Sequence, residues 1–192
     1  MRPRAALAPL AALTLGACVF SSEGALFGVG EAATPIADGA RFDWIENGRV
    51  DETVIYTRTD GGYHVGAVGD DDGPLSVLFI AVEETSEDDF IAQVELPRTT
   101  GGRAYAFMWR NGEGFRLVAS PRVVEEVAPE ALSAHCSARP NGECQFASRE
   151  AVMAFYRQAI YPAFVAGGRV PDDYIDQMPA GSARRDKPSE GK

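Results

Sequence analysis

Residues 53–68 read TVIYTRTDGGYHVGAV, and this stretch decides the fold class. Thr53 to Arg58 is dense in β-branched and aromatic side chains, which suit a pleated, half-buried surface. Asp60-Gly61-Gly62 then supplies a tight reversal, because glycine adopts the positive φ that short hairpins demand. Tyr63 to Val68 resumes the β character, with His64 on the face opposite Tyr63 and Val65. A hairpin here makes the chain β from its centre outward.

The flanking sequence continues the pattern. Phe42 and Trp44 alternate with Arg41 and Asp43 ahead of an Asn47-Gly48 turn. Leu75 to Val82 is apolar at both alternating positions, which predicts a strand covered on both faces. Phe90, Ala92, Val94 and Leu96 share one face of the next segment. In Arg103 to Arg110, Tyr105, Phe107 and Trp109 lie on one side, with Ala104, Ala106 and Met108 on the other. Asn111-Gly112-Glu113-Gly114 turns into Phe115 to Ala119. Short polar turns between such strands predict an antiparallel meander, since parallel strands need crossover helices.

The last third changes period. Pro129 to Ala134 reads as a short helix, and Ser148 is a good N-cap with Glu150 in the first turn. Val152, Phe155, Tyr156, Ala159, Ile160 and Ala163 recur at helical spacing, Pro162 kinks or ends the run, and Gly167-Gly168 stop it. The expected fold is therefore α+β: an antiparallel β-meander of about six or seven strands with one C-terminal amphipathic helix packed on a face. The helix is expected to cover the Tyr105, Phe107 and Trp109 stripe with Phe155 and Tyr156; left open, that stripe is a binding surface for an apolar ligand or a partner.

The N-terminus carries a different message. Arg2 and Arg4 precede Ala5 to Leu15, an apolar run broken only by Pro9 and Thr14, with small residues Gly16 and Ala17 behind it. This is the layout of an export signal, and the run is shorter than the roughly 20 residues a membrane span requires. Leu15-Gly16-Ala17-Cys18 resembles the lipobox of bacterial lipoproteins. The resemblance implies cleavage before Cys18, a diacylglyceryl group on its thiol, and an acyl chain such as palmitate on the new amine. One acyl chain binds a membrane with a constant of only about 10⁴ M⁻¹, whereas two or three together hold nearly irreversibly. The body resembles envelope lipoproteins of Gram-negative bacteria without pointing to one family. Val19 stands where an Asp would imply inner-membrane retention, so the resemblance implies the outer membrane, facing the periplasm.

The expected organisation is a signal peptide over 1–17, a lipidated cysteine with a flexible tether over 18–38, one domain over 39–179, and a disordered tail over 180–192. Removing residues 1–17 takes away Arg2 and Arg4 and no acid, which moves the formal charge from −10 to −12. That balance opposes nucleic acid and anionic headgroups. The expected partners are the membrane, through lipid on Cys18, and an envelope protein; no nucleic acid is expected. Three cysteines is an odd count for an exported chain, and lipid on Cys18 leaves Cys136 and Cys144 as a pair. A disulfide between them closes a short loop worth about 2.5 kcal/mol in the chain-entropy model. A metal pair or a reactive thiol fits the compartment and spacing less well.

No catalytic residue, metal ligand or cofactor is expected. His64 reads as an ordinary strand position, and His135 and Cys136 are sequence neighbours that rarely face each other. Asp70-Asp71-Asp72-Gly73 lacks the alternating ligands of a calcium loop. Glu83, Glu84, Glu87, Asp88 and Asp89 cluster at a turn, where acids are usually solvated. The expected function is a noncatalytic binding or assembly role in the envelope. The alternative is an envelope enzyme built near the acidic turns and His64.

Overall fold

The computed structural model describes residues 19–69, 73–82, 88–95, 102–139, 142–171 and 174–182. Two short strands come first, β1 (Phe20–Ser22) and β2 (Ala32–Ala33). The main run follows as β3 (Ala40–Glu46), β4 (Arg49–Thr59), β5 (Gly62–Ala67), β6 (Leu75–Ala81), β7 (Asp89–Glu95), β8 (Arg103–Asn111) and β9 (Gly114–Val118). Helices α1 (Pro121–Glu125) and α2 (Pro129–His135), strands β10 (Ser137–Ala138) and β11 (Cys144–Gln145), and α3 (Arg149–Phe155) come next. A π-helical extension (Tyr156–Val165) and strand β12 (Ile175–Pro179) are the last elements among the described residues.

The fold departs from the expected α+β meander. The antiparallel run β3 to β9 closes into an eight-stranded barrel because β12 pairs with β9 on one edge and β3 on the other. An open meander would leave the edges of β3 and β9 with a row of unmet backbone groups, and β12 satisfies both rows at once. Ile175-Asp176-Gln177-Met178-Pro179 is short, ends in proline and alternates poorly, so nothing local marks it as a strand. The helical layer also holds three short helices and the π-helical extension rather than one helix.

Two apolar layers share the barrel wall. Inside, Phe42, Tyr56, Tyr63, Phe79, Phe90 and Phe115 form a cluster of edge-on and tilted rings with centroids 5.5–6.3 Å apart. Outside, the opposite faces of β6, β7 and β8 bury Ile80, Ile91 and Phe107 beneath α3, its extension and the N-terminal segment. Arg49 and Asp51 are exposed at the start of β4, and Arg58 near its end lies opposite the interior Tyr63 and donates to Ile36 O at 3.4 Å.

Local chemistry explains the joints. Asn47 and Gly48 take φ of 50° and 72°, the pair of positive values that a two-residue hairpin turn uses between β3 and β4. Ser148 caps α3 by accepting from Ala151 N at 3.3 Å. Pro162 has no N–H to give and lies inside the π-helical extension, whose end is marked by Ala166 N donating to Tyr161 O at 2.8 Å.

The expected tether is also corrected. Phe20, Phe27 and Ile36 are buried, and β1 is paired on both edges, by β8 and by β11. Aromatic side chains in this glycine-punctuated segment gain more by packing on the barrel than the chain loses in entropy. Of the expected tail, Ala180 and Gly181 still bond the barrel, through Arg41 O at 3.0 Å and Asp43 Oδ2 at 2.8 Å; residues 183–192 lie outside the described residues.

Candidate functional site

Cys18 lies outside the described residues. Cys136 and Cys144 are joined in a disulfide, with Cα atoms 5.4 Å apart. Tyr105, Phe107 and Trp109 do not form a binding surface, because all three are buried. Phe107 meets Phe155 and Tyr156 at 5.5 and 6.0 Å and Trp109 stacks on Phe164 at 6.3 Å, so the helical layer covers these two, while Phe27 and Phe146 pack on Tyr105 at 6.4 and 6.0 Å. His135 pairs with Gln158 Oε1 at 2.8 Å.

The acidic turns and His64 do not converge among the described residues. His64 is opposite Ser76 near the start of β6, whereas Asp89 bonds Val82 beyond its end. Six residues of strand separate those points, about 20 Å. Asp88 instead pairs with Arg110 at 3.4 Å. Residues 70–72 and 83–87 lie outside the described residues.

The barrel interior offers little room. One end is filled by the aromatic cluster, and the other is walled partly by Ala92, Ala104, Ala106 and Ala119, leaving about 50 Å³. That holds about three to five waters. Tyr56 OH donates to Gln177 Oε1 at 2.8 Å across this space. Burial pushes the Tyr56 phenol well above its ordinary value, and Gln177 and Trp44 offset this only in part.

The outer wall offers more. Between the N-terminal segment and β5, β6 and β7 runs a groove of about 430 Å³. That falls within the roughly 300–1,000 Å³ typical of small-molecule sites, which the interior does not reach. Strand register builds its polar wall. His64 is paired with Ser76, and Glu95 with Arg103 one strand further round, with an ion pair of 3.8 Å between the last two. Among the described residues, His64 and Ser76 make no side-chain hydrogen bond, so both are available to a ligand. Phe27, Leu78 and the 67 % exposed Val29 supply apolar surface.

A buried amide holds the groove's other wall in place. Gln93 Oε1 accepts from Leu26 N at 2.9 Å, Phe27 N at 3.1 Å and Tyr105 OH at 3.1 Å, while Gln93 Nε2 donates to Phe27 O at 3.1 Å. Ser22 Oγ lies 2.8 Å from Tyr105 OH. Burial raises the Tyr105 phenol above its usual range, with the Ser22 hydroxyl the largest opposing influence. A fully satisfied buried network of this kind fixes one conformation. Nothing in the sequence singles out Ser76, Glu95, Arg103 or Phe27; their only signal is a polar position on an alternating strand or an aromatic in a glycine-rich stretch.

No family model, curated protein or solved structure matches the chain.

Proposed function

We propose that this chain is the precursor of a lipid-anchored bacterial envelope lipoprotein that works by binding, and that the outer-wall groove is its binding site. The interior holds only about 50 Å³. Of two outer clefts of similar size, about 430 and 450 Å³, the second is lined by Glu31 and Arg149 already paired at 2.8 Å, so the open His64 and Ser76 of the first carry the reading. Its polar row of His64, Ser76, Glu95 and Arg103 beside Phe27 and Leu78 suits an amphiphilic small ligand or the side chains of an envelope partner. The lipobox at Leu15 to Cys18 supports the address, the outer membrane facing the periplasm.

The anchor is tested with labelled palmitate. The wild-type chain takes label and stays with membranes, and Cys18→Ser does neither; unchanged retention of the variant contradicts the anchor. The groove is tested in intact cells with a photo-crosslinking amino acid at position 64 and, as control, at the exposed Arg49 at the far end of the neighbouring strand β4. Adducts at 64 that are absent at 49 and fall when Arg103→Glu is added support the groove. Equal adducts at both positions count against it.

A further inference from the structure

The anchor and the barrel are joined without a spacer. Cys18 precedes Val19, and Val19 is already held, its carbonyl accepting from Cys144 N at 2.9 Å. Pairing begins at Phe20, which is opposite Tyr105 of β8 on one side and Cys144 of β11 on the other. The Phe20 ring packs 5.2 Å from both Phe107 and Phe155. Ser21 Oγ donates to Glu143, and Phe146 N donates to Ser21 O at 2.8 Å. The disulfide ties β11 back to the end of α2, so the strand that follows the anchor is clamped on both edges.

Reach decides what this means. A flexible spacer of about 20 residues would have an r.m.s. span near 25 Å and let the domain tumble above the membrane. Phe20 is two residues from Cys18, and two extended residues cover only about 7 Å. We infer that the barrel rests directly against the lipid surface, with the β1–β11–β10 side and the disulfide hairpin toward the bilayer and the β4 wall away from it. The inference rests on the lipid anchor proposed above. Ala138 is exposed, and it is the partner of Cys144, itself the partner of Phe20, so two strand spacings of about 10 Å separate it from the anchor strand. Arg49 is exposed on β4, four strands from β8 around the eight-stranded ring.

The test uses the lipidated mature protein, residues 18–192, on phosphatidylcholine vesicles with a nitroxide quencher on the headgroups. Ala138→Trp and Arg49→Trp are compared, with Ser137→Trp as a second position near the anchor. Both native tryptophans are buried and form a common background. Emission at 138 and 137 should be quenched at least threefold more than at 49. A ten-residue Gly-Ser insertion after Cys18 should abolish the difference. Equal quenching while the protein still floats with the vesicles overturns the posture and leaves the anchor standing. A difference that survives the insertion overturns it as well. Failure of the wild-type chain to float refutes the anchor itself, and the posture with it.

Discussion

Arg116 holds Asp176 at two points across the seam where the barrel closes, Nε to Oδ1 at 2.7 Å and Nη2 to Oδ2 at 2.9 Å. Asn111 Nδ2 adds a third bond to the same carboxylate at 3.1 Å, and Tyr174 places its ring 4.2 Å from the guanidinium carbon. The Asp176 contact raises the Arg116 pKa, the direction expected for a cation bonded to a carboxylate. Both side chains are less than one-fifth exposed, so water screens the pair only in part. Arg116→Ala should cost about 2 kcal/mol in urea unfolding, because it leaves Asp176 in a half-buried site without its cation. A change below about 0.5 kcal/mol, the size typical of surface pairs, would count against a role in closure.

Gly114 marks how closely the same seam is packed. A Cβ there would lie 1.9 Å from Gln177 O and 2.9 Å from Met178 Sδ. Gly114→Ala should therefore cost about 3 kcal/mol or prevent folding, since β12 would have to move away from β9. Gly66→Ala is the control. Among the described residues its Cβ meets only Pro74, at 3.6 Å, and should change the urea midpoint little. Equal effects at the two positions would contradict the closed seam.

The alanine-walled cavity should accept more carbon. Ala106→Val adds two methyl groups beside about 50 Å³ of space and should raise stability by about 1 kcal/mol, read from the thermal midpoint. A loss of 1 kcal/mol or more would mean that the interior is already full.

Two buried phenols set an alkaline limit. Tyr56 and Tyr105 both titrate above their ordinary value of 10.0, because burial disfavours the phenolate. The folded state keeps protons that the unfolded chain gives up, so stability is complete below about pH 10 and declines above it, by up to about 1.4 kcal/mol per pH unit for each tyrosine. Tyr56→Phe should flatten that decline. At neutral pH it should cost about 1 kcal/mol for the lost bond to Gln177. Urea midpoints taken from pH 8 to 11 measure both effects, and an unaltered slope in the Tyr56→Phe, Tyr105→Phe double variant would rule them out.

Breaking the disulfide should loosen a local region and leave the barrel closed. Cys136→Ala with Cys144→Ala should lower stability by about 2.5 kcal/mol. Hydrogen exchange should rise at Phe20 to Ser22 and at Cys144 to Phe146, with β4 to β7 unchanged. Exchange that rises evenly across the barrel would show that the bond supports the whole fold.

The strand-rich body, its hairpin turns, the two-faced β6, the Ser148 cap and the pairing of Cys136 with Cys144 were all legible in the residues themselves. Each of these is a local matter of alternation, turn chemistry, capping or cysteine arithmetic. Tertiary structure alone decided closure, because Asp176 and Gln177 become strand residues only when the two open edges of β3 and β9 are there to receive them. It also decided the fate of residues 19–36, where scattered Phe20, Phe27 and Ile36 have no periodicity to announce burial. The groove was decided in the same way. His64 was visible as a lone histidine, but Ser76, Glu95 and Arg103 join it only through register across three strand pairs, which separations of 12 to 39 residues along the chain conceal.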